Sequence, residues 1–160
     1  MPIIRAINLL SERLKGSDIK LVTVESCTGG WIGKSITDIE GSSEWYEAGF
    51  ITYSNEAKNK LVNVSNELLD NYGAVSIQVA EAMALGALNQ FPNAVSVSVT
   101  GIAGPGGGSK DKPVGMVCIA CCYGEKVISK RFDFSGDRNE IREQSVEEAV
   151  EMVFSLLDNF

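Results

Sequence analysis

The stretch Ile19-Lys20-Leu21-Val22-Thr23-Val24-Glu25-Ser26-Cys27-Thr28-Gly29-Gly30-Trp31 decides the reading of this chain. Residues Ile19 to Val24 are apolar and β-prone and read as a strand, whereas Trp31, Ile32, Ile36 and Ile39 recur at helical spacing up to Gly41. Between them lies a strand-to-helix turn that carries a hydroxyl, a thiol and two permissive glycines. Backbone N–H groups at such a turn point outward and attract anions, so chemistry is expected there. The chain has 0 histidines. A Ser-His-Asp relay is therefore excluded, and any nucleophile in the turn needs another base.

Outward from this turn, helical and strand periodicity alternate. A first helix is expected over residues 2 to 15, with Ile3, Ile7, Leu10 and Leu14 on one stripe and Gly16 to end it. Downstream, Ala48 to Tyr53 reads as a strand, and Ser54 or Asn55 caps a short helix carrying Ala57, Lys58 and Leu61. Glu67 to Tyr72 reads as another short helix closed by Gly73. Ser76 opens a longer one whose buried face is Val79, Ala80, Met83, Ala87 and Leu88. Val95 to Thr100 alternates valine with Ser or Thr, which suits a central strand with small residues under a packed layer. Val114 to Cys122 and Lys126 to Phe134 pattern as a hairpin about Tyr123-Gly124-Glu125. The last helix starts at Asp137, with Glu140 completing a capping box, and runs through Ile141, Val146, Ala149, Val150, Val153 and Leu157 to the chain end. This order predicts an α/β fold in one domain, residues 1–160: a three-layer α/β/α sandwich around a mixed, mostly parallel sheet of about five to six strands.

Hydrophobic residues make up 44% and charged residues 22% of the 160 residues. A chain of that length buries roughly two-thirds of its unfolded surface, enough for a core without disulfides. Met1-Pro2-Ile3-Ile4-Arg5 is followed by a polar helical pattern and not by an apolar signal core, and no run is long enough to span a bilayer. A cytoplasmic protein with no membrane partner is expected. Fourteen Lys plus Arg against 21 Asp plus Glu leave a net charge of −7, which repels a polyanion, so nucleic acid is not expected as a partner. A small anionic ligand is still compatible, since a helix N-terminus and one or two cations suffice to hold a phosphate. Of the four cysteines, Cys118 and Cys121 spell C-x-x-C inside a strand pattern. Strand alternation sends them to opposite faces, so no metal site and no cofactor are expected.

Ser26 and Cys27 compete as nucleophile. A thiol at a helix start can lose its proton near neutrality. A serine without histidine needs a neutral lysine, and the candidate is Lys58 in Thr52-Tyr53-Ser54-Asn55-Glu56-Ala57-Lys58. If the strands ending at Glu25 and Tyr53 are neighbours, their ends bring Lys58 to Ser26, and Tyr53 can orient Lys58 or carry its proton. Residue type and spacing alone favour a plainer reading: Ser26 caps a helix, Tyr53 fills a core edge and Lys58 is solvated. The second dense feature is Thr100-Gly101-Ile102-Ala103-Gly104-Pro105-Gly106-Gly107-Gly108-Ser109, directly after a strand. It is not a P-loop, since Gly107 stands where that motif has lysine. Glycine this dense beside a strand end reads as a binding loop, the alternative being a mobile crossover. Arg138 places a cation at a helix N-terminus, where a phosphate can sit, an exposed arginine in a solvated first turn being an equally good reading of the sequence.

Glu25-Ser-Cys-Thr-Gly-Gly30, Gly49-Phe-Ile-Thr-Tyr-Ser-Asn-Glu-Ala-Lys58, Gly73-Ala-Val-Ser76, Thr100-Gly-Ile-Ala-Gly-Pro-Gly-Gly-Gly108, Lys112-Pro-Val-Gly115 and Phe134-Ser-Gly-Asp-Arg138 together resemble the CinA C-terminal domain family over nearly the whole chain. Stand-alone members of that family are nicotinamide-nucleotide amidases, which hydrolyse nicotinamide mononucleotide to nicotinate mononucleotide and ammonia. The resemblance implies a catalytic set of Ser26, Lys58 and Tyr53, a small-molecule nucleotide substrate and a homo-oligomer. Substrate contacts are then expected from Thr28, Gly29, Gly30, Thr100, Gly101, Ile102, Ala103, Gly104 and Arg138. The oxyanion would rest on N–H groups of the Thr28-Gly29-Gly30 turn or of the Gly101 loop. Two rival readings are a non-catalytic nucleotide-binding module and a nucleic-acid partner, the second opposed by the acidic balance.

Overall fold

Leu21–Glu25 forms strand β1, the pivot of a five-stranded sheet ordered β2-β1-β3-β4-β5, with β2 at Tyr46–Ile51, β3 at Val95–Gly101, β4 at Met116–Tyr123 and β5 at Lys126–Asp133. The structure, a computed structural model, describes residues 1–158; the expected continuation of the last helix to the chain end lies outside the described residues. β1 pairs in parallel with β2 on one side and β3 on the other, whereas β3–β4 and β4–β5 are antiparallel. Four strands thus point one way, and β4 alone is reversed.

The valine–serine alternation of β3 divides the two helical layers. Val95, Val97 and Val99 share a core with helices α1 (Ile3–Leu14) and α6 (Arg138–Asp158), and Ile32 and Ile36 of α2 (Trp31–Thr37) join the same cluster. On the opposite face Ser96 Oγ donates to Ala84 O at 2.7 Å and Ser98 Oγ to Ala80 O at 2.5 Å, both carbonyls of α5 (Ile77–Gln90). Small hydroxyl residues let α5 lie close while both hydroxyls are themselves paired, each bond contributing about 1 kcal/mol net. β4 alternates in the same sense. Val117, Ile119 and Cys121 face α1 and α6, while Met116, Cys118, Ala120 and Cys122 face α5. Cys118 and Cys121 therefore lie on opposite faces, as strand alternation requires.

Helices α3 (Asn55–Val62) and α4 (Asn66–Tyr72) complete the α5 layer through Val62, Val64 and Leu69. Helices α3, α4 and α5 each start on a serine cap, with Ser54 Oγ accepting from Ala57 N, Ser65 Oγ from Leu68 N and Ser76 Oγ from Val79 N. Ser54, not Asn55, is thus the cap of α3. Where α5 crosses the end of α3 the residue is Gly86, because an ideal Cβ there would sit 1.8 Å from Val62 O. At α6 the capping box forms, Asp137 Oδ1 accepting from Glu140 N at 2.8 Å and Glu140 Oε1 from Asp137 N at 3.2 Å.

Several boundaries differ from the periodicity. β2 spans Tyr46–Ile51 instead of beginning at Ala48, and a single 3-10 turn, Ser42–Glu44, precedes it. Three residues carry no period to read. β4 starts at Met116 and not at Val114, because Gly115, at φ 96°, turns the chain; an ideal Cβ at Gly115 would lie 2.0 Å from Phe134 O.

Candidate active site

Glu25 ends β1 in register with Ile51 of β2, so the next residues, Ser26 and Thr52, leave the sheet side by side. Thr52 N–H donates to Glu25 O at 2.8 Å and Ser26 N–H donates to Val99 O at 3.0 Å, which ties the Ser26 turn to both neighbouring strands. β1 exits towards β2 while β3 exits towards β4, leaving a crevice between the two exits at the carboxyl ends of the strands. A cleft of about 280 Å³ fills it. Its lining includes Ser26, Cys27, Tyr53, Asn55, Lys58 and Arg138, with Ala74, Val75 and the glycine loop from Thr100 onward.

Lys58 sits at the fourth position of α3, with its side chain returning under the turn; the residue is 1% exposed. Its Nζ lies 3.1 Å from Ser26 Oγ, 3.0 Å from Thr52 O and 3.4 Å from Tyr53 O. Carbonyls only accept. In a neutral amine the two N–H bonds are taken by Thr52 O and Tyr53 O, which leaves the lone pair for the Ser26 hydroxyl proton. No carboxylate is among the groups that shift Lys58. Burial, the largest cause, moves it below the ordinary 10.5 and favours the neutral form.

The neighbouring thiol takes the opposite course. Burial pushes Cys27 up to about 12, opposed by its own backbone N–H, by Arg142 and by Lys58, so it stays protonated and non-nucleophilic near neutrality. The expectation that the helix start would activate this thiol is corrected by what occupies that start. Glu25, buried, accepts from Ile32 N–H at 2.8 Å and Gly33 N–H at 3.1 Å through its two carboxylate oxygens. The anion held by the first turn of α2 is therefore the protein's own. Sequence reasoning missed this role of Glu25, although a carboxylate directly before a strand-to-helix turn is a signal for it.

The remaining expected residues separate into two groups. Thr100, Gly101, Ile102, Ala103 and Gly104 line the cleft with Arg138, whereas Thr28, Gly29 and Gly30 do not. Thr28 is fully buried, its hydroxyl without a hydrogen-bond partner among the described residues. Gly29 N–H donates back to Ser26 O at 3.1 Å, and Gly30 faces Ile51. Tyr53 is 63% exposed; its hydroxyl accepts from Arg138 Nη2 at 3.4 Å, and its carbonyl accepts from Lys58 Nζ at 3.4 Å. Arg138 Nη1 also donates to Gly104 O at 2.8 Å, so this cation straps the glycine loop to Tyr53 across the cleft mouth. Asn55, Ala74 and Val75 were not singled out from spacing. Thr100 Oγ1 donates to Ala74 O at 2.8 Å and thereby sets that wall of the cleft.

The chemistry available is acyl transfer by a lysine-activated serine on a small polar ligand. The profile of the CinA C-terminal domain matches residues 5–157. A nicotinamide-nucleotide amidohydrolase PncC of Escherichia coli (strain K12) is 48% identical over 147 residues, covering 91% of this chain and 88% of that protein. The protein of the same name from Pseudomonas putida is 43% identical over 155 residues, covering 97% of each. Among solved structures, the competence/damage inducible protein CihA of Agrobacterium tumefaciens matches with a TM-score of 0.94 at 40% identity, covering 96% of this chain and 94% of that one. A CinA superfamily protein of Escherichia coli matches with a TM-score of 0.91 at 34% identity, over 96% of this chain and 90% of that one. This chain belongs to the CinA C-terminal domain family.

Proposed function

We propose that this chain is an amidohydrolase that deamidates nicotinamide mononucleotide to nicotinate mononucleotide and ammonia, with Ser26 as nucleophile and Lys58 as base. The observation that carries the catalytic assignment is the buried Lys58 Nζ, 3.1 Å from Ser26 Oγ and otherwise facing carbonyl oxygens. Neutral Lys58 takes the hydroxyl proton as Ser26 Oγ bonds to the carboxamide carbon, and the carbonyl π pair moves to oxygen. Collapse of that adduct expels the amine, protonated by Lys58, as ammonia. Water, deprotonated by the same lysine, then attacks the ester carbon, and collapse of that adduct releases the acid as Lys58 returns the proton to the departing Ser26 Oγ and is neutral again.

A cleft of about 280 Å³ is at the small end for a nucleotide. It suits the pyridine and ribose inside, with the 5′-phosphate at the mouth beside Arg138 and the glycine loop. Tyr53 belongs to that mouth through its hydroxyl and to the base through its carbonyl. The proposal extends to a single domain over residues 1–160, in the cytoplasm and as a homo-oligomer, with no cofactor, no metal and no membrane or nucleic-acid partner. The acidic balance supports the last point, and no helix among the described residues is long and apolar enough to cross a membrane.

Ammonia release from nicotinamide mononucleotide tests the reading. Ser26→Ala is expected to reduce kcat by at least roughly 10³-fold while the nucleotide still binds. Undiminished turnover in that variant overturns the mechanism. Binding of the nucleotide by the unaltered chain with no ammonia released at all would instead favour the non-catalytic binding module.

A further inference from the structure

Arg142 lies one helical turn beyond Arg138 on α6 and does not border the cleft. Its guanidinium nevertheless reaches the Ser26 turn from behind. Nε donates to Cys27 O at 3.0 Å, Nη2 donates to Thr28 O at 3.1 Å, and the group stacks over the Trp31 ring at 5.3 Å. These two carbonyls follow the nucleophile directly. Three other N–H groups of the turn are engaged: Ser26 N–H by Val99 O, Gly29 N–H by Ser26 O and Trp31 N–H by Thr28 O. In a trans peptide the N–H points opposite to its carbonyl, so the bond from Gly29 to Ser26 O directs Cys27 N–H the other way. Cys27 borders the cleft, and it is the residue after the nucleophile, whose N–H serves the oxyanion in strand-turn-helix hydrolases.

Resting on the acyl-transfer reading above, we propose that Arg142 is a positioning residue that locks the Cys27 and Thr28 carbonyls to α6 and so holds Cys27 N–H as an oxyanion donor. The fork geometry matters. A guanidinium presents several N–H bonds in one plane and spans two carbonyls of one turn, which a lysine ammonium does not reproduce. Its charge also polarises the Thr28–Gly29 peptide group, strengthening the Gly29 N–H that bonds Ser26 O and, through that bond, the Ser26–Cys27 peptide that carries Cys27 N–H. The field of Arg142 does reach this turn, since it opposes burial at the Cys27 thiol. Of the donors expected from sequence, Thr28, Gly29 and Gly30 do not border the cleft, Gly29 N–H is bonded to Ser26 O, and Ile102 N–H is bonded to Met116 O at 2.9 Å.

The test compares two probes on Arg142→Ala and Arg142→Lys. Nicotinate mononucleotide reports ground-state binding. The 3-formylpyridine analogue of the mononucleotide accepts Ser26 Oγ at its aldehyde carbon, the hydroxyl proton passing to Lys58 and the carbonyl π pair to oxygen, and so reports the oxyanion. Arg142→Ala is expected to lower kcat and aldehyde affinity together by roughly tenfold to hundredfold, short of the roughly 10²–10³ that loss of a whole donor costs. KM and nicotinate mononucleotide affinity stay within about threefold, and millimolar guanidinium restores part of kcat. Arg142→Lys falls between, and carries the test by the same ratio should the alanine variant not fold. Equal losses for both probes, or a kcat within about twofold of the unaltered chain, overturn the assignment. If Ser26→Ala keeps its turnover, the acyl-enzyme reading has failed; if Ser26→Ala is inactive and Arg142→Ala is not impaired, only the role of Arg142 has failed.

Discussion

Lys58 Nζ and Ser26 Oγ stand 3.1 Å apart across 32 residues of sequence because two parallel strands end level and a serine cap turns the second into α3. The contact is buried. The other partners of Nζ among the described residues are the Thr52 and Tyr53 carbonyls, so the arrangement holds a lysine whose useful state is the neutral one.

The pH profile follows from that state. Protonated Lys58 cannot accept the Ser26 proton, so kcat/KM should rise with pH through the lysine's folded-state pKa and then level off. Burial lowers that value, so the midpoint of the rise should lie below the ordinary lysine value of 10.5. Lys58→Arg, which stays cationic, should lose the rise with the activity. A profile that climbs only near 10.5, or is flat from pH 5 upward, would contradict Lys58 as the base.

Cys27 offers a separate check. Burial keeps its thiol protonated up to about 12, so alkylating reagents at pH 8 should leave activity unchanged over the time in which an exposed cysteine is consumed. Cys27→Ala should retain ammonia release within several-fold, the small change coming from packing. An inactive Cys27→Ala beside an active Ser26→Ala would make the thiol the nucleophile.

How far the site can be read in the sequence depends on how local each part is. Ser26, its turn and the glycine loop stand out as motifs, and the alternation in β3 and β4 announces which residues face which layer. The base is legible only through pairing: Lys58 is an ordinary lysine unless β1 and β2 are neighbours, a condition that periodicity leaves open, while the family resemblance implies Lys58 as Ser26's partner without it. Thr28, Gly29 and Gly30 were expected to meet substrate because a helix start attracts anions. The structure fills that start with Glu25, whose role depends on a helix only seven residues long. Arg142 escaped notice because it acts from 114 to 115 residues away, although its spacing of four from Arg138 puts both on one helical face.

Holding a lysine out of water costs stability. Since Lys58 has a lowered pKa in the folded state, the folded protein binds fewer protons than the unfolded chain between that value and 10.5, and stability rises with pH across this window. Below the window the cost of the buried ammonium is present in full. Lys58→Met should therefore abolish turnover yet stabilise the fold by about 1–2 kcal/mol near neutral pH, with the gain shrinking as pH approaches 10.5. Thermal unfolding at several pH values measures this. A destabilised Lys58→Met would mean that the hydrogen bonds to Ser26, Thr52 and Tyr53 outweigh desolvation.

Arg138 tests the mouth of the cleft. Two of its N–H groups are engaged by Gly104 O and the Tyr53 hydroxyl, and an arginine has five, so a phosphate can be accepted without dismantling the strap. Removing the guanidinium takes away both the counter-charge and the tie on the glycine loop. Arg138→Ala should raise KM for nicotinamide mononucleotide by about tenfold, the scale of a partly exposed charge-assisted contact, with kcat changed much less. Nicotinamide riboside, which lacks the phosphate, separates the two contributions: it should be hydrolysed poorly by the unaltered chain and no worse by Arg138→Ala. Equal KM increases for both substrates would assign Arg138 to the loop alone, and the phosphate would then have to bind on the glycine loop without it.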